Sequence, residues 1–371
     1  MKALEKKIIR SISQSACNQI PFSVFMNMCL YDHEEGFYTG GHEVIGKQGS
    51  FVTAPELGEE LAEIIGNYFL HLLEELKDPI IVEVGAGKGT LSYNLISFLK
   101  SSAKHLFDYE IIEISGSMIA KQKKLLEPFK GLVTWNSPSD AFEDRDCIVI
   151  ANEFLDAIPF DRFVKLNNDI YPLMVTYDNK LSWKQHELPL STDALKQFGV
   201  NKEIFESLPE GYQSELHAYA ELIQIIQKLQ CAKSVCALFI DYGYGERDYY
   251  AAHRTNGTLS CFMQHQISDN PFLMLGEQDI TSWVNFTRVK NVLESNGFLV
   301  SGYTTQAEFL LSGGIDKYLN RAFENSDFQR VQNIKTLMLP GEMGEYIKVL
   351  LATKNLNQKI SLTGRSFLSR I

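Results

Sequence analysis

The feature that most constrains this chain is the segment IIVEVGAGKGTL at residues 80–91. An apolar run that leads into a glycine-rich turn and then into helix-forming residues predicts a buried strand, a turn and a helix. Gly85, Gly87 and Gly89 carry no Cβ, so the backbone of the turn can approach a ligand closely. Turns of this kind commonly hold part of a nucleotide. Packing alone is the alternative explanation of these glycines.

The spacing of the glycines narrows the choice of nucleotide. The dinucleotide fingerprint G-x-G-x-x-G has its third glycine one residue later, and the G-K-[ST] ending of a phosphate-binding loop is absent. Glu113 ends the next predicted strand, where an acid can accept hydrogen bonds from a ribose diol. Alternatively, Glu113 is an acid favoured by the dipole of the following helix. These features fit S-adenosylmethionine (AdoMet) better than a nicotinamide cofactor, which stays as an alternative.

Glu83 lies within the first predicted strand, among apolar residues. A buried carboxylate is costly unless it is paired. We therefore interpret Glu83 either as a ligand for a cationic group or as a brace for the glycine turn.

Strands and helices alternate after residue 78, which predicts an α/β fold with a parallel sheet covered on both faces. We expect strands at residues 80–86, 109–115, 132–136, 147–154, 234–245 and 346–353, and helices at 214–230 and 279–297. The predicted domain organisation is a helical N-terminal region at 1–78, a nucleotide-binding domain at 79–159 and 234–355, an insertion of short strands and a helix at 160–233, and a loosely held tail at 356–371.

Composition excludes several classes of protein. The 371 residues suit one large domain or two, and 45% of them are hydrophobic. A net charge of −11 argues against nucleic acid as a partner. No apolar run approaches the roughly 20 residues that span a bilayer, so we expect no membrane insertion. The six cysteines form no close pair, so we expect no metal site and a reducing, cytosolic environment.

Other segments carry a more specific signal, because they resemble the MidA family in the same order along the chain. They are PFSVFMNMCLYDHEEGFY at 21–38, GSFVTAPELGEEL at 49–61, ANEFLDAIPFDRF at 151–163, FIDYGYGE at 239–246, and GTLSCFMQHQ at 257–266 followed by GEQDITSWVNF at 276–286. The resemblance extends from about residue 18 to 352. MidA proteins are AdoMet-dependent methyltransferases, and the animal member is a mitochondrial complex I assembly factor that methylates arginine.

The resemblance implies a Rossmann-like class I methyltransferase core with a parallel-rich sheet, a helical N-terminal region and an α+β insertion. The cofactor-binding residues that it implies are Thr53, Pro55, Glu56, Glu83, Gly85, Ala86, Gly87, Gly89, Glu113, Asp140, Ala141 and Asn152. Thr53, Pro55 and Glu56 belong to the TAPE segment, which is expected to close over the cofactor. Asp140 and Ala141 are expected near the adenine, although Asp140 reads equally well as a helix N-cap.

Four polar residues lie in or just after the last residues of predicted strands, at the carboxyl edge of the sheet, where α/β proteins bind ligands. They are the expected catalytic residues Asn152, Glu153, Asp156 and Asp241. Asn152 offers an acceptor oxygen, and the Glu153 carboxylate suits a guanidinium. Asp241 is expected to point into the cleft or to pair there. The alternatives are a solvated loop acid for Glu153 and a turn residue for Asp156.

By resemblance, the expected activity is protein arginine N-methylation in respiratory complex I assembly. The expected partner is a protein substrate such as a complex I subunit, a homodimer is left open, and the expected location is the cytoplasm of a bacterial-type cell. Two alternatives stay open. One is methylation of another protein side chain or a small molecule, and the other is a non-catalytic AdoMet-binding assembly factor.

Overall fold

The computed structural model describes residues 2–40, 53–199, 201–263 and 266–371. The helices are α1 (Ala3–Gln14), α2 (Phe22–Tyr31), α3 (Glu60–Glu75), α4 (Thr90–Ser102), α5 (Gly116–Leu125), α6 (Thr192–Gln197), α7 (Lys202–Ser207), α8 (Ala220–Lys228), α9 (Glu246–Tyr249), α10 (Phe286–Ser295), α11 (Gln306–Ser312), α12 (Ile315–Glu324), α13 (Phe328–Met338) and α14 (Met343–Tyr346). Short 3-10 helices include Ala54–Glu56 and Ser139–Phe142.

The strands follow the same chain order. They are β1 (Gln19–Ile20), β2 (Pro79–Val84), β3 (Asp108–Ile112), β4 (Val133–Trp135), β5 (Asp146–Asn152), β6 (Asp161–Leu166), β7 (Asp169–Asp178), β8 (Lys180–Gln185), β9 (Gln213–Leu216), β10 (Ser234–Tyr244), β11 (Ser260–Met263), β12 (Gln266–Ser268), β13 (Asp279–Thr281), β14 (Val284–Asn285), β15 (Leu299–Thr305) and β16 (Ile347–Lys354). All six strands expected from the sequence are present.

The chain divides into two compact units. Unit 1 contains the described residues of 2–40, 156–221 and 244–291, and unit 2 contains those of 53–155, 222–243 and 292–371. The division differs from the expected domain ranges, because the residues up to 40 group with the inserted segment while residues 53–78 group with the sheet. Residues 244–291 also belong to unit 1.

Unit 2 is built around a sheet in the order β15-β16-β10-β5-β2-β3-β4. The pairs from β10 to β4 are parallel, whereas β16 runs antiparallel to both β10 and β15. The central strands β2 and β5 are apolar and buried along nearly their whole length, as expected for strands that are covered on both faces. The α/β class with a parallel-rich sheet is thus confirmed. Its carboxyl edge brings the loops after β2, β3 and β5 together.

Unit 1 is α+β. Its larger sheet runs β1-β7-β6-β9, with β8 paired to β7, and a smaller sheet runs β12-β11-β13. Tight turns join β6 to β7 and β7 to β8, and in them Asn167, Asn168 and Asn179 have the positive φ angles that asparagine tolerates. An aromatic cluster that includes Phe163, Tyr212 and Tyr249 forms its core.

Two expected helices begin later than the sequence indicates. Residues 213–216 form β9, and α8 begins only after Tyr219, whose φ of 52° interrupts a right-handed helix. The helix expected at 279–297 starts at Phe286, because the preceding residues form β13 and β14. Strand β15 has no regular apolar alternation that would predict it, because a bulge between Val300 and Gly302 shifts its register.

The C-terminal tail is attached to unit 2 rather than loosely held. Phe367 N donates to Tyr303 O at 2.7 Å, and Thr304 Oγ1 donates to Arg365 O at 2.6 Å. Leu362 packs against the core of the unit. Within the described ranges, no helix combines the length and the apolar character that a bilayer crossing requires.

Candidate functional site

The glycine turn follows β2 and leads directly into α4. Gly85, Gly87 and Gly89 have φ angles of 67°, 54° and 89°, which an L-residue rarely adopts. Gly85 N donates to Ile112 O at 3.0 Å, and this bond ties the turn to the end of β3. A Cβ at Gly85 would lie 3.3 Å from the Phe154 ring. The turn therefore needs glycine for its conformation and, at Gly85, for space as well.

Glu113 lies directly after β3, on the same edge of the sheet. Its Oε1 accepts from Ser115 N at 2.9 Å, and its Oε2 accepts from Gln122 Nε2 at 3.0 Å. Burial raises the pKa of this carboxyl. The bond to Ser115 agrees with the helix-terminus interpretation, but a carboxylate has about four acceptor positions, so capacity for a diol remains.

Gln122, on α5, was not singled out from the sequence. It is fully buried, and its Nε2 donates to Gly87 O at 2.8 Å as well as to Glu113. Its Oε1 accepts from Trp135 Nε1 at 3.0 Å. One amide thus connects the glycine turn, the acid after β3 and strand β4. The surrounding sequence, AKQKK, reads as a solvated helix and gave no signal of this role.

Glu83 is engaged inside unit 2. Its Oε2 accepts from Ser92 Oγ and from Tyr109 Oη, both at 2.5 Å. Burial and then the charge of Glu113 raise the pKa of Glu83. Because Ser92 lies on α4 and Tyr109 on β3, these bonds favour the interpretation of Glu83 as a brace that fixes the helix after the glycine turn.

The TAPE segment contacts the start of α4, the helix that follows the glycine turn. Residues 49–52, which precede it in the GSFVTAPELGEEL motif, lie outside the described residues. Thr53 precedes the 3-10 helix Ala54–Glu56, in which Pro55 is buried. Ala54 N donates to Glu153 Oε1 at 3.2 Å, and Thr90 Oγ1, in the first turn of α4, donates to Glu56 Oε1. The segment therefore joins the start of α4 to the end of β5.

Strand β5 ends at Asn152. The next residue, Glu153, has a φ of 49°. Asn152 Nδ2 donates to Glu153 Oε1 at 3.3 Å, which fixes the orientation of the amide because a carboxylate oxygen can only accept. Asn152 Oδ1 is buried and has no hydrogen-bond partner among the described residues. A buried acceptor without a donor is costly, so this oxygen is suited to a ligand N–H or O–H.

Asp241 comes directly after Ile240, the last residue of β10 that pairs with β5, and is buried. Its Oδ2 accepts from Phe154 N at 3.1 Å and from Leu155 N at 2.8 Å, while its Oδ1 accepts from Tyr242 N at 2.8 Å. Asp241 therefore pairs at the carboxyl edge, one of the two placements expected from the sequence. These bonds hold the turn that follows Glu153, which favours positioning over direct contact with a substrate.

Asp156 is the first residue of the unit 1 segment that follows β5. Burial raises the pKa of its carboxyl. Within the same unit, burial and the Asp156 charge raise the pKa of Asp279 to about 7. Tyr38 Oη donates to both oxygens of Asp279, at 2.9 and 3.0 Å. The two acids are distant in sequence, so their proximity could not be read from either motif.

Asp140 is exposed within the 3-10 helix Ser139–Phe142. The N-cap position of this helix is Pro138, so the interpretation of Asp140 as an N-cap is wrong. Ala141 N donates to Pro138 O, and Ala141 is half-buried. Both residues follow β4. Their assignment to an adenine pocket stays a prediction. Across the described ranges, no group of three or more His, Cys, Asp or Glu side chains could hold a metal ion.

The residues at the carboxyl edge of the unit 2 sheet are suited to bind a nucleoside that also carries polar groups. The glycine turn leaves the backbone free of side chains at the end of β2. Glu113 supplies acceptor capacity for hydroxyl groups, and Asn152 Oδ1 supplies a buried acceptor for a donor. Ala86 lies between the glycines and is buried. The glycine turn and Glu113 suit the ribose end of AdoMet, and the Asn152 oxygen suits an N–H donor of the cofactor or of a methyl acceptor.

Comparison with known proteins agrees with this arrangement. Residues 64–304 match the family described as "Putative S-adenosyl-L-methionine-dependent methyltransferase". A crystal structure of a Burkholderia thailandensis protein bound to S-adenosyl-homocysteine superimposes with a TM-score of 0.85 at 28% identity, and covers 96% of this chain and 93% of that chain.

Curated relatives also match most of the chain. The mitochondrial protein arginine methyltransferase NDUFAF7 of Mus musculus is 27% identical over 88% of this chain and 79% of its own length. The homolog from Caenorhabditis elegans is 25% identical over 92% of this chain and 84% of its own length.

Proposed function

Because the chain belongs to the family of S-adenosyl-L-methionine-dependent methyltransferases, we propose that it transfers the methyl group of AdoMet to a guanidinium nitrogen of a protein arginine. The relatives from Mus musculus and Caenorhabditis elegans, both named protein arginine methyltransferases, support this choice of acceptor. The observation in the structure that carries it is Asn152 Oδ1, the buried acceptor oxygen at the end of β5. A guanidinium offers five N–H donors, so it can satisfy such an oxygen.

AdoMet supplies a methyl group on a sulfonium, and the protein then has mainly to align the two reactants, an effect worth roughly 7–11 kcal/mol in favourable cases. The glycine turn and Glu113 hold the nucleoside end in this proposal. Glu83 keeps α4 in place beneath the turn, and the TAPE segment covers the bound cofactor. Each of these residues acts by binding or by orientation.

The acceptor nitrogen needs an available lone pair, although a guanidinium stays protonated at neutral pH. Carboxylates that bind one side of the guanidinium localise its charge there and leave the far nitrogen free to react. In our proposal Glu153 provides this carboxylate and takes the proton that the nitrogen loses on methylation, while Asn152 Oδ1 fixes the N–H beside it. The leaving group is S-adenosylhomocysteine. Asp241 keeps both in position through the amides of Phe154 and Leu155.

The test is transfer of a radiolabelled methyl group from AdoMet to proteins of a host lysate, followed by acid hydrolysis and amino-acid analysis. We expect the label in methylarginine. Asn152→Ala should lower the initial rate at least about tenfold, since a bond to a charged donor is worth roughly 1.5–3 kcal/mol. Asn320→Ala, at an exposed position of α12, is the matched control and should leave the rate unchanged.

Label in another amino acid, or only in small molecules, would replace arginine as the acceptor. Label that does not depend on Asn152 would remove the role of its Oδ1. If the protein binds AdoMet but transfers no label to any fraction, the non-catalytic assembly factor becomes the better description.

Two finer points extend the proposal. The resemblance to MidA proteins supports a complex I subunit as the acceptor protein, and a labelled band that co-purifies with complex I would support it. The reduced, scattered cysteines support a cytoplasmic location, whereas the relatives named above are mitochondrial. Cell fractionation separates these locations, and sedimentation would test for a homodimer.

A further inference from the structure

We propose that Gln122 is a positioning residue of the cofactor pocket, which sets the discrimination in favour of a ribose diol by fixing the Glu113 carboxylate against the glycine turn. The inference rests on binding of the AdoMet ribose by Glu113 and is independent of the methyl acceptor. Gln122 itself is not assigned a contact with the cofactor.

The hydrogen bonds of Gln122 use the two ends of its amide in one specific way. Trp135 Nε1 can only donate, so the 3.0 Å bond from it to Gln122 selects the amide oxygen. Gln122 Nε2 must therefore face the opposite side, where Gly87 O lies at 2.8 Å and Glu113 Oε2 at 3.0 Å. The carbonyl oxygen of Gly87 and the carboxylate oxygen of Glu113 can only accept hydrogen bonds. A flipped amide would turn its oxygen towards a carbonyl and a carboxylate.

The second Glu113 oxygen is fixed independently. Ser115 N, at the N-terminus of α5, donates to Oε1 at 2.9 Å. With at least one donor on each oxygen, the plane of the carboxylate is determined before a ligand arrives. The remaining acceptor positions then have fixed directions, which is what pre-organised binding of two neighbouring hydroxyl groups requires.

The same amide fixes the glycine turn. Gly87 has a φ of 54°, and its carbonyl receives the Gln122 donor. At Gly89, a Cβ would lie 3.4 Å from Gln122 Cγ, so α5 and the turn are in close packing contact. Gln122 therefore controls the distance between the turn and the ribose acid, two features that the sequence presents as separate motifs.

The experiment measures the dissociation constants of S-adenosylhomocysteine and of its 2′-deoxy analogue by calorimetry, for the full chain. Gln122→Met keeps the length of the side chain but removes its hydrogen bonds. We expect it to weaken S-adenosylhomocysteine roughly ten- to hundredfold and the deoxy analogue much less, because a charge-assisted bond to the diol acid is lost. The ratio of the two constants should therefore move towards one.

Trp135→Phe provides a milder variant, which keeps a ring at the site but removes the donor that orients the amide. We expect the same direction of change with a smaller size. Gln306→Met is the matched control, because Gln306 is also a fully buried glutamine of unit 2, and it donates to Leu337 O away from the turn. It should lower stability without changing the ratio.

Gln122→Glu adds a readout that general loss of stability would not produce. Among the described residues, the titratable groups connected to this position include Glu113, to which Gln122 is bonded, and Glu83, which interacts electrostatically with Glu113. Lys123, the next residue on α5, lies over the Trp135 ring at 5.3 Å. The introduced carboxyl group repels Glu113 when it is charged, whereas it donates to Glu113 when it is protonated. Binding of S-adenosylhomocysteine by this variant should recover as the pH falls from about 8 to about 5.5.

Three results would overturn the proposal. One is equal weakening of both ligands by Gln122→Met. Another is an unchanged ratio in Trp135→Phe, which also decides the matter if Gln122→Met fails to fold. The third is a flat pH profile of binding for Gln122→Glu. None of these outcomes bears on whether arginine is the acceptor.

Discussion

At the scale of single residues, Glu153 combines an acidic side chain with a left-handed backbone. Its carboxylate receives Ala54 N and Asn152 Nδ2, and its own N donates to Ile240 O at 2.8 Å. A non-glycine residue in this region costs about 1–3 kcal/mol and persists where surrounding bonds enforce it. The strained residue lies where the acceptor site is proposed, which is where such strain tends to be functional.

Replacement of Glu153 by glycine separates the effect of the backbone conformation on stability from the effect of the carboxylate on activity. We expect Glu153→Gly to change the free energy of unfolding by less than about 1 kcal/mol, because relief of strain offsets the lost hydrogen bonds. Methyl transfer should nevertheless fall at least about tenfold, because the carboxylate is gone. Chemical denaturation and the methylation assay check the two parts, and Asn168→Gly, another left-handed position, is the control.

The sequence identified residues whose chemistry is evident from a local pattern. The three glycines, Glu113 and the end of β5 belong to this group, since each follows an apolar strand. Gln122 could not be found in this way, because its partners come from three other elements and its neighbours on α5 are lysines. The sequence also left Glu83 undecided, and only its bonds to Ser92 and Tyr109 favour a brace.

At the scale of elements, helix α13 holds the turn between the TAPE segment and α3. Arg330 Nη2 donates to Glu59 Oε1 at 2.9 Å, and Arg330 Nε donates to Glu60 Oε1 at 2.6 Å. Asn333 Nδ2 donates to Leu57 O at 2.5 Å. The sequence gives no sign of this role, because Arg330 and its partner Glu60 are 270 residues apart in the chain. The same is true of the rest of residues 299–338, for which the sequence predicts no role.

Removal of Arg330 should therefore affect both stability and cofactor affinity. Glu60 is only 1% exposed, so Arg330→Ala leaves a buried carboxylate without its cation and should lower the free energy of unfolding by about 2–4 kcal/mol. Affinity for S-adenosylhomocysteine should also fall, because the anchor of the TAPE segment is lost. Lys202→Ala, which breaks the exposed pair with Glu206, should cost less than about 0.5 kcal/mol.

At the scale of the whole molecule, buried acids make stability depend on pH. The Asp279 pKa of about 7 is well above that of an unfolded aspartate, about 3.9. Between these values folded Asp279 keeps a proton that the unfolded chain releases, so its contribution to stability falls as pH rises through this range. His217 acts in the opposite direction, because burial lowers its pKa to about 3 and the unfolded histidine gains a proton below about 6.5.

A comparison of wild type with Asp279→Asn removes the Asp279 carboxylate, together with its charge interaction with Asp156, and leaves His217 unchanged. We expect the variant to gain stability relative to wild type as pH rises from 4 to 8, by on the order of 4 kcal/mol, and the difference to stay constant above about pH 8. Urea denaturation across this range measures it. Parallel stability curves for the two proteins would mean that folded Asp279 titrates normally.

The position of β16 has a consequence for how the protein is made. Strand β10 pairs with β16 from Val235 to Tyr242, but β16 ends the sheet in sequence and is translated more than a hundred residues later. Until then a growing polypeptide leaves Val235 to Tyr242 without this partner, as an apolar edge that is a template for association with other chains. Ribosome-bound intermediates of this length should therefore depend on chaperones, and premature stop codons before Ile347 should give insoluble products instead of shortened enzymes.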